Sequence, residues 1–278
     1  MKPNFLTRVL LLFCLPALLL AGCDKKDVSN KEPTYKTEVN VEDVTTKKDK
    51  RYLVLVNKEH PVTDAYNPAT EDYVLEPLQN IEPGADKWKW AKKEMKLEGK
   101  TLRALTAMLT EMEADGVTDI FVTSAYRDFE TQERLFENYY EAEKGQAASS
   151  TRAIYYLGED YVKEHYTDRG IVVLSDEDAG KIANFYSAHP GESEHQTGLC
   201  VDFMTGTMKA LDNTFAETAA SAWLRANAHR FGFIMRYPQE KESVTGYCYE
   251  PWHYRFVGRE AATEIFHSNV ALEEYLNG

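Results

Sequence analysis

The sequence predicts an α+β fold in which a small antiparallel sheet is flanked by helices in a single domain. Patterns typical of strands and of helices are mixed along the chain, without the regular strand–helix–strand repeat that builds a parallel sheet. The sequence also contains no glycine-rich nucleotide-binding loop and no internal repeat. With 278 residues, the chain can bury one sizeable core and still carry additional segments.

Charge and composition exclude some classes of partner. The formal net charge is −13, and it becomes more negative if the basic residues near the N-terminus are removed. A protein that binds nucleic acid needs a basic face for the phosphates, so we expect no nucleic acid partner. The same acidity argues against electrostatic docking on anionic lipid, whereas it is compatible with a small peptide substrate.

Residues 1–22 have the pattern of a signal peptide. After a positively charged start, residues 9–21 are mostly apolar but too few for a comfortable membrane span. The ending Leu20-Ala21-Gly22-Cys23 resembles a bacterial lipobox, which implies cleavage before Cys23 and attachment of lipid to its sulfur. We therefore expect an extracytoplasmic protein that is anchored to the cell membrane through lipid alone. A plain secretory signal or an uncleaved anchor is the alternative.

The next region, residues 23–50, is predicted to be a disordered linker that follows the lipidated Cys23. It is rich in Lys, Asp, Glu, Thr and Asn and has almost no large apolar side chains. Such a segment cannot bury enough apolar surface to fold alone. Its expected role is to hold the folded domain, residues 51–278, away from the membrane.

The first elements of that domain are predicted from short-range patterns. Residues 52–56 are continuously apolar and rich in strand-forming residues, which predicts a strand. Apolar residues recur at helical spacing over 102–112, and Gly116 is expected to end that helix. Residues 119–124 predict a second strand.

Later elements are marked by capping residues. A helix is expected to begin after Asp128, because Asp is a favoured N-cap residue. Ser175, with Asp178 three residues later, predicts another helix start of the capping-box type. Between them, residues 144–174 are predicted to be a partly helical insertion that either roofs a cleft or lies as a solvated surface. The remaining predicted elements are strands at 199–204 and 233–237 and helices at 215–230 and 259–276.

Two short stretches contain the residues that predict chemistry: Ser193-Glu194-His195-Gln196-Thr197-Gly198-Leu199-Cys200-Val201-Asp202 and Glu250-Pro251-Trp252-His253. His195, Asp202 and His253 form a ligand set that is common for zinc, and three protein ligands leave a fourth position for water. Glu250 would be the group that takes a proton from that water. On the residues alone, ordinary structural roles for the two histidines are the alternative.

Local context refines the candidate site. Glu250 and His253 would lie on opposite faces of a continuous strand, but Pro251 predicts a break that brings both to one side. Arg127 lies between a predicted strand and a predicted helix, where binding residues are common, and its guanidinium can grip a carboxylate. A surface salt bridge is the alternative for Arg127. His60 and His189 are expected to be turn and helix-end residues rather than ligands.

The two stretches resemble the signature of the VanY-type zinc D-alanyl-D-alanine carboxypeptidases. These belong to a wider group named for lysostaphin, D-Ala-D-Ala metallopeptidases and sonic hedgehog. The shared pattern is Ser193-x-His195-x-x-Gly198-x-x-x-Asp202 followed by Glu250-x-Trp252-His253. Upstream, Ser124-Ala125-Tyr126-Arg127 with Gln132 is similar to the family's Ser-Gly-Tyr-Arg…Gln segment, and Leu55-Val56-Asn57-Lys58 resembles its opening strand. The resemblance covers most of residues 51–265 and implies a hedgehog/D-Ala-D-Ala peptidase-like fold.

The resemblance implies roles for individual residues. His195, Asp202 and His253 would be the ligands of one zinc ion per chain, and Glu250 would be the catalytic base. The resemblance therefore implies that the protein is a metallocarboxypeptidase.

Five further residues are implied in substrate binding. Arg127 would bind the terminal carboxylate of the substrate. Ser193 and Gln132 would form hydrogen bonds to the substrate near the scissile amide. Trp252 and Tyr126 would act as wall and support rather than in the chemistry.

The implied activity is removal of the terminal D-Ala from peptidoglycan stem peptides by a monomeric enzyme. One alternative is an L,D-carboxypeptidase that trims tetrapeptide stems with the same zinc chemistry. A second is a zinc-bearing peptidoglycan-binding module without catalysis, against which the intact Glu250 argues. A third is an endopeptidase that cuts cross-links, but Arg127 argues for a free C-terminus.

The sequence departs from the family pattern at a few positions. The family usually has Ala where Cys200 stands and Gly where Ala125 stands, and neither position is a predicted ligand. Cys200 and Cys248 are expected either as two buried thiols or as a disulfide between neighbouring strands. The insertion at 144–174 is longer than expected for the family, so it bears on substrate range.

Overall fold

A computed structural model describes residues 34–38, 49–66, 74–78 and 95–278. Residues 35–278 group into one compact unit. The predicted signal peptide, Cys23 and most of the predicted linker lie outside the described residues. Among the residues that are described, no helix combines the length and the apolarity needed to cross a bilayer.

Strands and helices alternate irregularly along the described chain, which confirms the predicted α+β class. The strands are β1 (Leu75–Pro77), β2 (Lys96–Glu98), β3 (Phe121–Ser124), β4 (Cys200–Met204), β5 (Phe233–Met235) and β6 (His253–Phe256). The α-helices are α1 (Gly99–Ala114), α2 (Phe129–Glu143), α3 (Thr151–Leu157), α4 (Glu159–His165), α5 (Asp176–Tyr186), α6 (Ala219–Asn227), α7 (Glu242–Thr245), α8 (Arg259–Ser268) and α9 (Leu272–Asn277). Short 3₁₀ helices lie at Thr167–Arg169, Glu194–Thr197, Asn213–Glu217, Ala228–Phe231 and Gln239–Lys241.

The main sheet is antiparallel and has the strand order β3-β4-β6-β5, while β1 pairs with β2 in a separate two-stranded sheet. The two central strands, β4 and β6, come from the two stretches that carry the predicted ligands. In the register, Asp202 lies opposite His253 on one side and opposite Ser124 on the other. The pairing of strands therefore brings together residues that are far apart in the sequence.

The core lies between this sheet and helix α1. Leu105 and Met108 of α1 are fully buried in one apolar cluster with Phe203 of β4 and Phe256 of β6. Burial of a side chain of this size stabilises a fold by roughly 1.5–3 kcal/mol. The helical spacing of apolar residues predicted α1 correctly because those residues are the ones that face the sheet.

Both predicted N-caps are confirmed. The Asp128 carboxylate accepts a hydrogen bond from the Thr131 N–H (2.8 Å) at the start of α2. The Ser175 hydroxyl accepts one from the Asp178 N–H (3.1 Å) at the start of α5. Each cap satisfies one of the backbone donors that a helix start leaves free.

Three predicted elements differ in the structure. Residues 52–56 form no strand: Tyr52 lies in a turn and Leu53 in a bend, and the carbonyls of Tyr52 and Val54 accept hydrogen bonds from the Arg255 guanidinium instead of from a neighbouring strand. The predicted helix at 215–230 is split into two 3₁₀ helices around α6. The predicted helix at 259–276 is interrupted at Asn269, which adopts a left-handed conformation (φ 52°) between α8 and α9.

The predicted insertion, residues 144–174, contains α3, α4 and a 3₁₀ helix. It has a small apolar cluster of its own, which includes Val162, Tyr166 and Leu174 and which packs on Ile182 of α5. The Tyr166 hydroxyl also hydrogen-bonds the buried Asp178 carboxylate. These contacts fix the insertion to the helix that precedes the first metal-ligand stretch.

Candidate metal centre and active site

The three predicted ligands meet at the centre of the sheet. His195 lies in the 3₁₀ helix Glu194–Thr197, Asp202 lies on β4, and His253 is the first residue of β6. The Asp202 carboxylate is 3.2 Å from Nε2 of His195 through one oxygen and 2.8 Å from Nδ1 of His253 through the other. All three side chains are buried.

The loop between His195 and Asp202 requires glycine at its turn. Gly198 ends the 3₁₀ helix in a left-handed conformation (φ 69°). A Cβ atom at this position would lie 2.6 Å from Cδ2 of Leu75 and 3.3 Å from the backbone nitrogen of Glu98. The turn therefore allows close packing against β2 and delivers the chain into β4.

The donor set fits zinc. Two atoms that bind one tetrahedral zinc ion at about 2.1 Å lie about 3.4 Å apart. The separations of His195 and His253 from Asp202, 3.2 Å and 2.8 Å, are close to that value. Two imidazole nitrogens and a carboxylate oxygen are also the ligand types that zinc prefers, so the residues present are suited to this metal.

The tautomer of His195 is fixed by the backbone. Its Nδ1–H donates to the carbonyl of Ala125 over 2.6 Å, because a carbonyl oxygen can only accept. The other nitrogen, Nε2, is therefore unprotonated in the neutral ring and faces Asp202. This is the arrangement by which metal-binding histidines are commonly oriented.

Burial and charge act in opposite directions on Asp202. Burial alone would raise the pKa of this carboxyl, but the two neighbouring imidazoles outweigh it and lower the pKa below its usual value. Asp202 is therefore ionised, which is the state that a metal ligand requires.

Glu250 lies beside the ligands and not among them. Its Oε2 is 3.9 Å from Nδ1 of His253, and its pKa is raised to about 7, mainly by burial. The His253 N–H donates to the Glu250 carbonyl (3.1 Å), which closes the turn containing Pro251 before β6 begins. As predicted, the break at Pro251 places Glu250 and His253 at the same site.

A single cavity of about 680 Å³ contains this group of residues and extends away from it. Of the predicted substrate-binding residues, Arg127, Gln132, Ser193 and Trp252 line it. Tyr126 does not line the cavity, so its predicted supporting role stays a prediction.

Several buried polar atoms of the residues that line the cavity have no protein partner among the described residues, and two of them belong to predicted substrate-binding residues. These are Nε of Arg127 and Oε1 of Gln132, and both are buried. The other end of the Gln132 amide is held by the Ala188 carbonyl (2.7 Å). An unpaired buried donor and acceptor in one cavity are suited to a polar ligand, because such atoms otherwise cost free energy.

The insertion forms the far wall of the same cavity. Of the two alternatives for residues 144–174, this favours a segment that covers the cleft over one that lies on the solvated surface. Arg152, Tyr155 and Tyr156 of α3 line the cavity together with Tyr186 of α5. The Tyr155 hydroxyl donates to the Glu242 carboxylate (3.2 Å), so α3 is joined to the segment that precedes Glu250. The tyrosine-rich composition of residues 144–174 was the only sequence signal for this wall.

Two residues near the metal ligands were not anticipated from the sequence. Cys200 is fully buried, and its sulfur lies with ligand atoms of His195 and His253 in a group whose members are within 4.8 Å of one another. Cys200 and Cys248 are both free thiols, which contradicts the disulfide alternative. Glu194, the residue between Ser193 and His195 in the motif, is also buried and faces His253.

A protein family described as VanY, D-alanyl-D-alanine carboxypeptidase, matches residues 94–259. This span includes every residue that lines the centre described above. A D-alanyl-D-alanine carboxypeptidase of Enterococcus faecalis is 33% identical over 225 residues. The match covers 81% of this chain and 65% of that relative, so this chain spans slightly less than two thirds of its length.

Two solved structures are similar over most of both chains. The vancomycin-resistance D,D-pentapeptidase VanY, a variant in complex with Zn(II), is 32% identical with a TM-score of 0.57, and the match covers 82% of this chain and 99% of that one. The LD-carboxypeptidase LdcB is 30% identical with a TM-score of 0.55, and the match covers 80% of this chain and 84% of that one. The sequence and the fold of this chain are thus similar to those of a D,D-pentapeptidase and of an LD-carboxypeptidase.

Proposed function

This chain belongs to the VanY family of D-alanyl-D-alanine carboxypeptidases, and we propose that it removes the terminal D-alanine from peptidoglycan stem peptides in a zinc-dependent reaction. The observation that carries the proposal is the convergence of His195, Asp202 and His253 beside Glu250, at one end of a cavity whose wall carries Arg127. The zinc-bound relative of the same fold supports the choice of metal.

The chemistry divides between the metal and Glu250. When bound by His195, Asp202 and His253, zinc supplies a Lewis acid that makes water acidic near neutral pH. Glu250 takes the proton of the attacking water, and burial raises the pKa of its carboxyl above the usual value, in the direction that strengthens it as a general base. The same carboxyl returns the proton to the nitrogen of the leaving D-alanine as the peptide C–N bond breaks.

Arg127 would make the enzyme specific for a free C-terminus. Its guanidinium faces the cavity with a buried, unpaired Nε, and a terminal carboxylate is the group that a guanidinium binds best. Gln132 and Ser193 would hold the backbone of the substrate next to the scissile bond. Binding at both points fixes the register, so that only the last peptide bond reaches the metal centre.

The wall built by the insertion would contact the part of the stem that lies before the scissile bond. Tyr155 and Tyr156 present aromatic faces and hydroxyls there, which suit an extended ligand that is partly polar. The size of the cavity supports a substrate longer than two alanines, since such a volume holds a ligand of several residues.

Digestion of purified muropeptides tests the proposal. The zinc-loaded protein is incubated with pentapeptide and with tetrapeptide stems, with and without a chelator, and the products are identified by mass. Loss of one alanine from the pentapeptide alone, abolished by the chelator, is the expected result. Zinc-loaded protein that leaves both stems intact would overturn it and favour a binding module.

An L,D-carboxypeptidase is the second candidate, because the chain is also similar in sequence and fold to the LD-carboxypeptidase LdcB. Both stems end in D-alanine, so Arg127 and Glu250 would serve either reaction. Chelator-sensitive loss of alanine from the tetrapeptide alone would establish this activity in place of the first.

We further propose that the enzyme acts outside the cytoplasm as a monomeric lipoprotein. The support is the lipobox-like sequence that ends at Cys23, together with the polar segment that follows it. Cell fractionation of wild type and of Cys23→Ser tests this: the wild type is expected with the membrane, and the variant is expected to be released from it or left unprocessed.

A further inference from the structure

A buried carboxylate lies behind the metal ligand His253. Glu194 is 1% exposed, and its Oε2 lies 3.7 Å from Nε2 of His253. This is the imidazole nitrogen on the other side of the ring from Nδ1, which faces Asp202 and Glu250. Among the described residues, neither Oε2 of Glu194 nor Nε2 of His253 has a hydrogen-bond partner.

Nε2 of His253 and Oε2 of Glu194 form a donor–acceptor pair if His253 binds the metal through its other nitrogen. If His253 binds a metal through Nδ1, the neutral ring must carry its proton on Nε2. That N–H then points toward a carboxylate oxygen that lacks a donor, a few tenths of an ångström beyond hydrogen-bond distance. Burial of both atoms without a partner would cost free energy, which favours closure of the pair.

The Glu194 carboxylate is held in place from the other side. Its Oε1 accepts hydrogen bonds from Nε of Arg236 (2.8 Å) and from Nη1 of Arg255 (2.7 Å), and both guanidinium groups are buried. Arg236 is held in turn by Glu273, through two hydrogen bonds of 2.9 and 2.5 Å. Because Oε1 is occupied by the arginines, Oε2 is the oxygen left for His253.

We propose that Glu194 is a positioning residue that accepts the Nε2–H of His253 and thereby fixes the tautomer and the orientation of this metal ligand. The inference rests on the proposed zinc site. His195 is held by a neutral carbonyl, whereas His253 is held by a carboxylate. A charged acceptor makes the imidazole more basic and so a stronger ligand, as in other carboxylate–histidine–metal arrangements.

Zinc affinity in the absence of substrate tests the proposal. We compare the wild type with Glu194→Gln by competition against a chromophoric chelator. Loss of an outer carboxylate of this kind typically weakens metal binding about 10- to 100-fold, and a loss in that range is expected here. In the zinc-loaded wild type, the Nε2 proton of His253 is expected as a slowly exchanging, downfield NMR signal that the variant lacks.

Glu273→Gln is the matched control. It removes a buried negative charge from Arg236, one of the two arginines that hold Glu194, without touching His253, so it is expected to lower the free energy of unfolding while leaving zinc affinity unchanged. If Glu194→Gln does not fold, Glu194→Asp keeps the charge next to Arg236 and Arg255 and withdraws the carboxylate from His253. Glu194→Asp is then expected to bind zinc more weakly than the wild type.

Zinc affinity of Glu194→Gln, or of Glu194→Asp in its place, equal to that of the wild type would overturn the proposal. An equal loss in Glu273→Gln would also overturn it, since the effect would then belong to the arginine cluster as a whole. The outcome is separate from the proposed activity. A wild type that binds zinc tightly but cleaves neither stem peptide would overturn the carboxypeptidase proposal. The zinc affinities of the variants would still test the proposed role of Glu194 toward His253.

Discussion

The backbone N–H of Arg127 donates to the backbone carbonyl of His195 over 3.1 Å. The strand-to-helix turn that carries the cation is therefore fixed to the 3₁₀ helix that carries a metal ligand. This bond helps to fix the distance between the proposed carboxylate-binding group and the proposed metal ligands, and under the proposed function that distance would determine which peptide bond is cut.

Arg127→Ala is expected to lower kcat/KM for stems with a free C-terminal carboxylate by roughly 10- to 100-fold, because the variant loses one or two charge-assisted hydrogen bonds to that carboxylate. Stems with an amidated C-terminus should be poor substrates for the wild type and no worse for the variant. Arg134→Ala, an exposed arginine of α2, is the control and should behave as wild type. Equal use of carboxylate and amide substrates by the wild type would contradict this role.

Glu250→Gln is expected to retain zinc and to lose turnover by about 10²- to 10⁴-fold, because the amide cannot accept the proton from water. Metal content is measured by atomic emission and turnover by alanine release from the preferred stem. Glu240→Gln, an exposed position in the neighbouring segment, controls for general effects of the substitution. A metal-loaded Gln variant with wild-type turnover would remove Glu250 from the mechanism.

Cobalt substitution distinguishes the two ligand sets that the structure brings together. With His195, Asp202 and His253 as ligands, the cobalt form should show no sulfur-to-metal charge-transfer band, and Cys200→Ala should leave the spectrum unchanged. A band that is present in the wild type and absent from Cys200→Ala would make the Cys200 thiol a ligand, as its position within 4.8 Å of the histidine atoms allows.

The wall formed by α3 predicts a dependence on substrate length. Tyr155→Ala removes an aromatic face from the cavity and the hydrogen bond to Glu242. We expect a loss of roughly 2- to 10-fold in kcat/KM for complete stems, and little change for short acylated D-Ala-D-Ala substrates. Ile154→Ala is the matched control, since this exposed neighbour does not line the cavity. Equal losses on long and short substrates would mean that Tyr155 acts on the metal centre instead.

His229 predicts a pH dependence of stability away from the metal centre. Burial, with help from His267 and Arg230, lowers the pKa of His229 to about 4, and its ring stacks on Phe266 with centroids 3.9 Å apart. The unfolded chain, with a histidine pKa of about 6.5, therefore binds more protons than the folded chain between pH 6.5 and 4. Stability from this residue is present above pH 6.5 and is lost as the pH falls through that range.

Denaturant unfolding at pH 7 and pH 5 measures this contribution. The wild type is expected to lose more of its free energy of unfolding over that interval than His229→Phe, by roughly 0.5–1 kcal/mol once solvent screening of this half-buried ring is included. His229→Phe keeps an aromatic ring on Phe266 and cannot titrate. Identical pH dependence in the two proteins would show that His229 is not the responsible group.

Sequence patterns correctly predicted those parts of the fold that are determined by residues close together in the chain. Helix α1 and the N-caps Asp128 and Ser175 were identified because their signals lie within a few residues of each other. The strand predicted at 52–56 was wrong because its carbonyls are bound by Arg255, 203 and 201 residues away from Tyr52 and Val54. No local pattern contains a partner at that distance.

The candidate site also contains residues that could be predicted from the sequence and residues whose position depends on distant partners. The resemblance of the two stretches to the family signature placed His195, Asp202, Glu250 and His253 together, and in the structure these residues lie on a turn and two paired strands. Glu194 was passed over, since a charged residue in a loop is usually exposed, and its burial depends on Arg236 and Arg255, 42 and 61 residues further along the chain. The contribution of α3 to the cavity was suggested only as one of two alternatives.

The buried ionic cluster has a consequence for the order of events in biosynthesis. Asn57 donates to Glu273 of α9 across 216 residues, and Glu273 holds the arginine that holds Glu194. Closing contacts of such sequence separation costs more loop entropy than closing local ones. A nascent chain that still lacks α9 would therefore contain all three predicted metal ligands while the ionic cluster that holds Glu194 is still incomplete.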